Sequence, residues 1–352
     1  MKIPVGILGA TGVVGQRFLA LLEDHPYFDP VWLAASDRSA GKAYGATVRW
    51  RLRTPLPARF AGLTLQDAAP GNCPARVIFA ALDSTAAAVL EPAFVAAGHV
   101  VVSNSSALRM VADVPLLVPE VNADHLGLIV HQAHYGRGGY AVTNPNCSAV
   151  GLVMALAPLQ RAFGLQRVAV VTMQALSGAG YPGVPSLDSL ANVIPYIGQE
   201  EEKLEQESQK ILGMLQGRSI TPASFIVSAQ CNRVPVEDGH TECVSVQLAS
   251  KASLEDVRQV MASFKGRPQE LHLPSAPAHP LLLTDVPDRP QPRLDVDAGG
   301  NGLSRGMSVT VGRLRPCPLF DFKFVVLSHN TLRGAAGAAV LNGELLQAEG
   351  KL

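Results

Sequence analysis

The feature that most constrains the fold lies in the first 24 residues. Lys2–Leu8 is a short apolar run that breaks on Gly9-Ala10-Thr11-Gly12-Val13-Val14-Gly15, and Gly12–Asp24 then takes up a helical period. Val13, Val14, Phe18, Leu21 and Leu22 fall on one broad face of that helix. A strand that ends on glycines and turns directly into a helix begins a crossover-connected parallel sheet. The rhythm continues with strands at Val31–Ala35, Arg76–Ala81 and His99–Val102 and a helix at Ala86–Ala97. Strands alternating with helices predict an α/β fold with an N-terminal Rossmann-type, doubly wound parallel sheet.

The rhythm changes near residue 147. A helix is expected at Ser148–Ala162, and longer strands at Arg167–Ala175, Ser224–Ser228 and Thr241–Ala249. Glu200–Leu212 reads as a charged helix with an apolar stripe at Leu204, Ile211 and Leu212, and Ser253–Phe264 as another helix. Pro287–Gly306 reads as an exposed loop. Ala-rich Leu332–Leu346 is expected to be helical and to return to the first domain. The expected organisation is a cofactor domain over 1–143, an α+β catalytic and dimerisation domain over 144–328, and a returning C-terminal segment over 329–352.

Composition narrows the function classes. The 352 residues balance 29 basic against 29 acidic side chains, so no basic surplus points to nucleic acid. Arg49-Trp50-Arg51-Leu52-Arg53 is a short exception, read as a loop or edge strand. No apolar run of about 18 residues suggests a membrane span, and the N-terminal run is too short for a signal peptide. The five cysteines are scattered and none forms a CxxC pair, which disfavours a metal site or a disulfide framework and suits a reducing cytoplasm.

Five segments carry chemistry. Gly9, Thr11, Gly12, Val13 and Val14 place backbone N–H groups at a helix start, where a dinucleotide pyrophosphate binds; spacing GxxGxxG makes the motif weak alone. After the second strand, Asp37 can bond a ribose 2′-hydroxyl, whereas Arg38 with Ser36 and Ser39 can hold a 2′-phosphate. Thr143-Asn144-Pro145-Asn146-Cys147-Ser148 puts one thiol at a helix N-terminus, which favours the thiolate nucleophile; a buried structural cysteine is the plainer reading. His240, after a Gly turn and before a strand, can serve as the acid/base, with Arg233 nearby to grip a carboxylate. Gln174–Gly183 is polar and rich in small residues, as suits close approach of a ligand.

Together these motifs resemble the aspartate-β-semialdehyde dehydrogenase family, in its archaeal and fungal branch. The likeness runs nearly end to end, through Gly9–Gln16, Ala34–Gly41, Asn146–Ser148, Ser177–Leu187, Asn192–Gly198, Cys231–Val244 and Ser328–Gly337. The resemblance implies NADP as cofactor and reversible conversion of L-4-aspartyl phosphate to L-aspartate 4-semialdehyde and phosphate. That step serves lysine, methionine, threonine, isoleucine and diaminopimelate biosynthesis.

Residue by residue, the resemblance makes Cys147 the nucleophile, His240 the acid/base and Gln174 the orienting amide, with Asn146 helping to hold the oxyanion. Arg233 would bind the α-carboxylate and Glu200 the α-ammonium, although Glu200-Glu201-Glu202 leaves the register open. Arg109 and Lys203 would bind phosphate, with Asn104 nearby; Ser177, Gly178 and Asn330 would lie against the nicotinamide. The resemblance also implies a homodimer or homotetramer. A malonyl-CoA (CoA-thioester) reductase of the same branch is the enzyme alternative; a non-catalytic nucleotide sensor on the same fold is another.

Overall fold

The structure is a computed structural model and describes residues 1–36 and 39–352. The first half builds β1 (Ile3–Leu8), α1 (Val13–Leu22), β2 (Phe28–Ala35), β3 (Leu65–Asp67), β4 (Val77–Ala80), α2 (Ser84–Ala96), β5 (Val100–Ser103) and β6 (Tyr140–Thr143). These strands form one parallel sheet in the order β3-β2-β1-β4-β5-β6. This order reverses direction at β1 and β4, which opens a crevice at their carboxyl ends. β1, β4 and β5 are buried on both faces, which explains why they read as continuous apolar runs rather than alternating ones. On α1, Leu19 is fully buried with Phe18 and Leu22, while Leu21 is only partly covered.

The second half contains α3 (Cys147–Phe163), β7 (Leu165–Gln174), α4 (Glu200–Ile211), β8 (Ile226–Arg233), β9 (His240–Leu248), α5 (Leu254–Ala262), β10 (Leu281–Thr284), β11 (Val309–Pro316), β12 (Phe322–Ser328) and α6 (Gly337–Ala348). Its sheet is mixed, in the order β8-β7-β9-β12-β11-β10. α3 is apolar on nearly every side and lies in the core against this sheet, with residues 148–159 all buried. Pro287–Gly306 is not wholly irregular, since it includes a helical turn at Pro292–Asp295.

α6 leaves the second sheet and packs into the first core. Val340, Leu341 and Leu345 join Phe18, Phe28 and Phe79 there. A Cβ at Gly343 would come within 2.9 Å of the Phe79 ring, so glycine permits the close approach. Ahead of α6, Leu332–Ala336 is a π-turn. No helix among the described residues is long and apolar enough to cross a membrane.

Candidate active site

A cleft of about 550 Å³ opens between the two sheets. One wall is the turn after β1. Gly9 has φ +85°, and a Cβ there would meet the Ala81 carbonyl at 2.4 Å, so only glycine lets the turn pass beneath β4. Gly12 caps α1 without any side-chain hydrogen bond. The first-turn N–H groups therefore stay open toward the cleft, where Thr11, Gly12, Val13 and Val14 line the wall. That cradle fits a pyrophosphate at a helix N-terminus. Beyond β2, Ser39 N–H donates to Ser36 O at 2.8 Å, and neither serine is on the cleft wall. Asp37, the alternative partner of a ribose 2′-hydroxyl, and Arg38, expected with Ser36 and Ser39 to hold a 2′-phosphate, lie outside the described residues.

The other wall carries the thiol. Asn146 caps α3: its Oδ1 accepts from the N–H groups of Ser148 (2.9 Å) and Ala149 (3.4 Å). Cys147 is thereby the first residue of the helix, and its Sγ lies 3.1 Å from His240 Nε2. His240 opens β9 and is fully buried. Its Nδ1 accepts from the Ala175 N–H at 3.1 Å, so in the neutral ring the proton sits on Nε2 and faces the sulfur. Burial, then Arg233 and His329, pushes the ring down to about 3.

Two expectations are corrected here. The helix N-terminus was expected to favour the thiolate, yet burial, helped by Glu200, pushes the Cys147 thiol up to about 12 against the opposing pull of Arg109 and Arg233. Asn146 was expected to join helix-start N–H groups in holding an oxyanion. Instead its own oxygen occupies the Ser148 and Ala149 N–H groups, and its Nδ2 donates to Glu200 at 2.9 and 2.8 Å.

The remaining assigned residues gather around this pair. Gln174 ends β7 and donates to Glu200 at 3.3 Å. Arg233 ends the neighbouring β8 and donates to the Ala175 carbonyl at 2.8 Å. A Cβ at Gly178 would meet Arg233 Nη1 at 2.9 Å and His240 Cε1 at 3.0 Å, so this glycine lies directly over both. Asn330 joins Ser177 Oγ (2.7 Å) to the Gly239 N–H (2.8 Å), fixing the turn that leads to His240.

The three glutamates of α4 separate. Glu200 faces Asn146 and Gln174, Glu201 accepts from the Cys231 N–H at 2.9 Å, and Glu202 is exposed. Lys203 lies 3.7 Å from Glu200 on the cleft, whose lining also includes Arg109 and Asn104.

Three residues without an assigned role emerge. Asn144 donates to Asn104 Oδ1 (2.8 Å) and to Ala335 O (2.9 Å), tying the end of β6 to the π-turn. Gly334 of that turn presses on Cys147, for a Cβ there would meet Cys147 Cβ at 2.8 Å. Both fall inside quoted motifs, and their polar or glycine identity was the available signal. Glu207, two turns along α4 from Glu200, gave none.

A glycine turn at an open helix N-terminus, facing a capped thiol with a buried imidazole, is the arrangement of a class: two-domain dehydrogenases with a cysteine nucleophile. Family models agree, matching residues 4–129 to "Semialdehyde dehydrogenase, NAD binding domain" and residues 156–333 to "Semialdehyde dehydrogenase, dimerisation domain". The aspartate-semialdehyde dehydrogenase of Methanothermobacter thermautotrophicus is 48% identical, covering 98% of this chain and 99% of its own. The Schizosaccharomyces pombe enzyme of that name is 46% identical, with 98% of each chain covered.

Among solved structures, aspartate semialdehyde dehydrogenase with NADP from Candida albicans superposes with a TM-score of 0.92 at 42% identity, over 99% of this chain and 100% of the other. Aspartate semialdehyde dehydrogenase II complexed with ASA from Vibrio cholerae gives 0.76 at 28% identity, over 99% and 98%. The chain belongs to the aspartate-semialdehyde dehydrogenase family. The CoA-thioester reductase alternative finds no support among these relatives.

Proposed function

We propose that the cleft interconverts L-4-aspartyl phosphate and L-aspartate 4-semialdehyde with NADP(H), through a thioester on Cys147. The observation that carries this reading is the 3.1 Å approach of Cys147 Sγ to His240 Nε2 within reach of both a guanidinium and a carboxylate suited to an amino acid. Arg233 takes the α-carboxylate, Glu200 the α-ammonium, and Gln174 orients the acyl group between them. In the biosynthetic direction Cys147 sulfur forms a bond to the acyl carbon as the bond from that carbon to the phosphate oxygen breaks, and the thiol proton leaves on the phosphate. Arg109 and Lys203 receive the departing phosphate, with Asn104 beside them.

The glycine turn at Gly9–Val14 would hold the cofactor pyrophosphate, Ser36, Arg38 and Ser39 its 2′-phosphate, and Ser177, Gly178 and Asn330 the nicotinamide. When bound, the reduced cofactor supplies hydride to the thioester carbonyl. As the tetrahedral adduct collapses, the carbon–sulfur bond breaks and the aldehyde leaves, and His240 Nε2, the ring atom that faces the sulfur, passes to Cys147 a proton taken up from solvent and removes it in reverse. A substrate carboxylate on Arg233 offsets one of the two charges that oppose the imidazolium, while burial, the larger cause, stays in place.

In this reading the chain divides at 143/144 and at 328/329 into cofactor, catalytic and returning segments. It assembles as a homodimer or homotetramer through the second sheet, whose Val171 and Ile226 side chains are exposed. Its five free thiols suit the cytoplasm.

The test is reduction of NADP by aspartate semialdehyde plus phosphate, run beside malonate semialdehyde plus CoA. Turnover is expected only in the first arm. Cys147→Ala should abolish it while NADP binding, followed by fluorescence, stays intact. Normal turnover in that variant would remove the thioester from the mechanism.

A further inference from the structure

Lys203, Glu207 and Lys210 follow Glu200 on α4 by three, seven and ten residues, which places the four along one face of the helix. The first two already belong to the proposed site. The second two hold the loop that carries Arg109. Lys210 Nζ donates to the carbonyls of Arg109 (2.7 Å), Val111 (2.8 Å) and Val114 (3.0 Å).

Glu207 is only 2% exposed, and its two oxygens do different work. Oε1 accepts from Arg109 Nη1 at 3.0 Å, and Oε2 accepts from the backbone N–H of Asn146 at 2.5 Å. Arg109 is therefore gripped by its guanidinium and by its own carbonyl, both from one helix. The same carboxylate holds the residue that precedes the nucleophile.

Arg109 keeps donors to spare. Nη2 donates to the Asn104 carbonyl at 2.8 Å, but Nε has no partner, and the side chain lines the cleft. Of five guanidinium N–H groups, two are spoken for in the protein.

We propose that Glu207 is a positioning residue, one carboxylate that fixes the separation between the phosphate-binding guanidinium of Arg109 and the backbone at Cys147. The inference rests on the reading of Arg109 as a phosphate ligand. A carboxylate is required because both partners are donors and each needs its own acceptor oxygen. An amide offers one oxygen and would turn a second donor toward the other partner. A buried ion pair is by itself weak evidence for stability, so geometry is the better reason for placing this one here.

The experiment uses the full chain in the NADP-reduction assay, with phosphate and aspartate semialdehyde varied separately. Glu207→Gln keeps the shape, and Glu207→Asp keeps the charge but withdraws the reach, so one serves if the other folds poorly. Each is expected to raise the KM for phosphate about tenfold or more and to leave that for aspartate semialdehyde within about twofold. In an Arg109→Ala background, Glu207→Gln should add less than about twofold to the phosphate KM, because its partner is gone.

A merely structural glutamate would lower the active fraction and move kcat without splitting the two KM values. Phosphate KM values within about twofold of the parent in both variants would overturn the proposal. A parent enzyme whose turnover does not depend on phosphate would instead overturn the functional reading of the site.

Discussion

His240 meets its charge from one side and its hydrogen bond from the other. The Ala175 N–H on Nδ1 and the nearby Arg233 guanidinium both oppose the imidazolium, and burial opposes it more than either. Replacing Arg233 by Gln removes one of these and leaves burial in place. The ring in Arg233→Gln should therefore titrate above about 3 but below the ordinary value near 6.5. Nitrogen-15 NMR of the imidazole in the substrate-free enzyme measures this directly, and an unmoved or lower titration would show that the guanidinium is not what the ring senses. The neighbouring glycines act by absence of bulk: Gly178 lets Arg233 and His240 lie under the cleft floor, and Gly334 lets the π-turn rest on Cys147.

At the scale of elements, α2 carries a group whose cost depends on pH. Glu91 is fully buried beneath β5; Oε1 accepts from Ser103 Oγ at 2.7 Å, and Oε2 has no partner. Burial pushes this carboxyl up to about 7, against the weaker pull of Ser103 and Arg109. Its folded value lies above the unfolded one, so the folded chain holds a proton that the unfolded chain releases. The stability this contributes is complete below about pH 4.3 and is lost as pH rises through about 7, on the order of 3 kcal/mol in all. Glu91→Gln should therefore unfold at a higher temperature than the parent at pH 8, by at least about 3 °C, with a much smaller gap at pH 5. Thermal melts at the two pH values decide it, and an equal gap at both would place the ionisation elsewhere.

The elements also show what a sequence makes legible. β4 and β5 stand out because strands covered on both faces must be apolar throughout. β10 and β11 do not, since one is four residues of which only Leu281 is buried and the other runs out into exposed Arg313 and half-buried Arg315. The site follows the same logic. Cys147 and His240 sit beside turns whose Asn and Gly residues advertise them, whereas Glu207 is a buried carboxylate on a helix that reads as charged surface.

At the scale of the whole molecule, one buried pair joins the returning helix to the rest. Arg333, in the π-turn before α6, donates through Nη1 (2.8 Å) and Nη2 (2.6 Å) to the two oxygens of Glu120, and both side chains are fully enclosed. Glu120 belongs to the connection between β5 and β6, and a Cβ at Gly266 would strike its backbone at 2.4 Å, so the second domain closes over the same point. Three parts of the chain thus converge behind the turn that supports Cys147. Removing only the cation leaves a carboxylate in a dry interior, which costs about 3–5 kcal/mol where such pairs have been broken. Arg333→Met should lower stability by that order, whereas Arg333→Met with Glu120→Gln should recover much of it because no unpaired charge remains. Urea unfolding of the parent, the single and the double variant measures the difference. If the double variant is no more stable than Arg333→Met, then packing of the guanidinium, including its 3.3 Å contact with Met154 sulfur, holds the joint together and the charge pair does not.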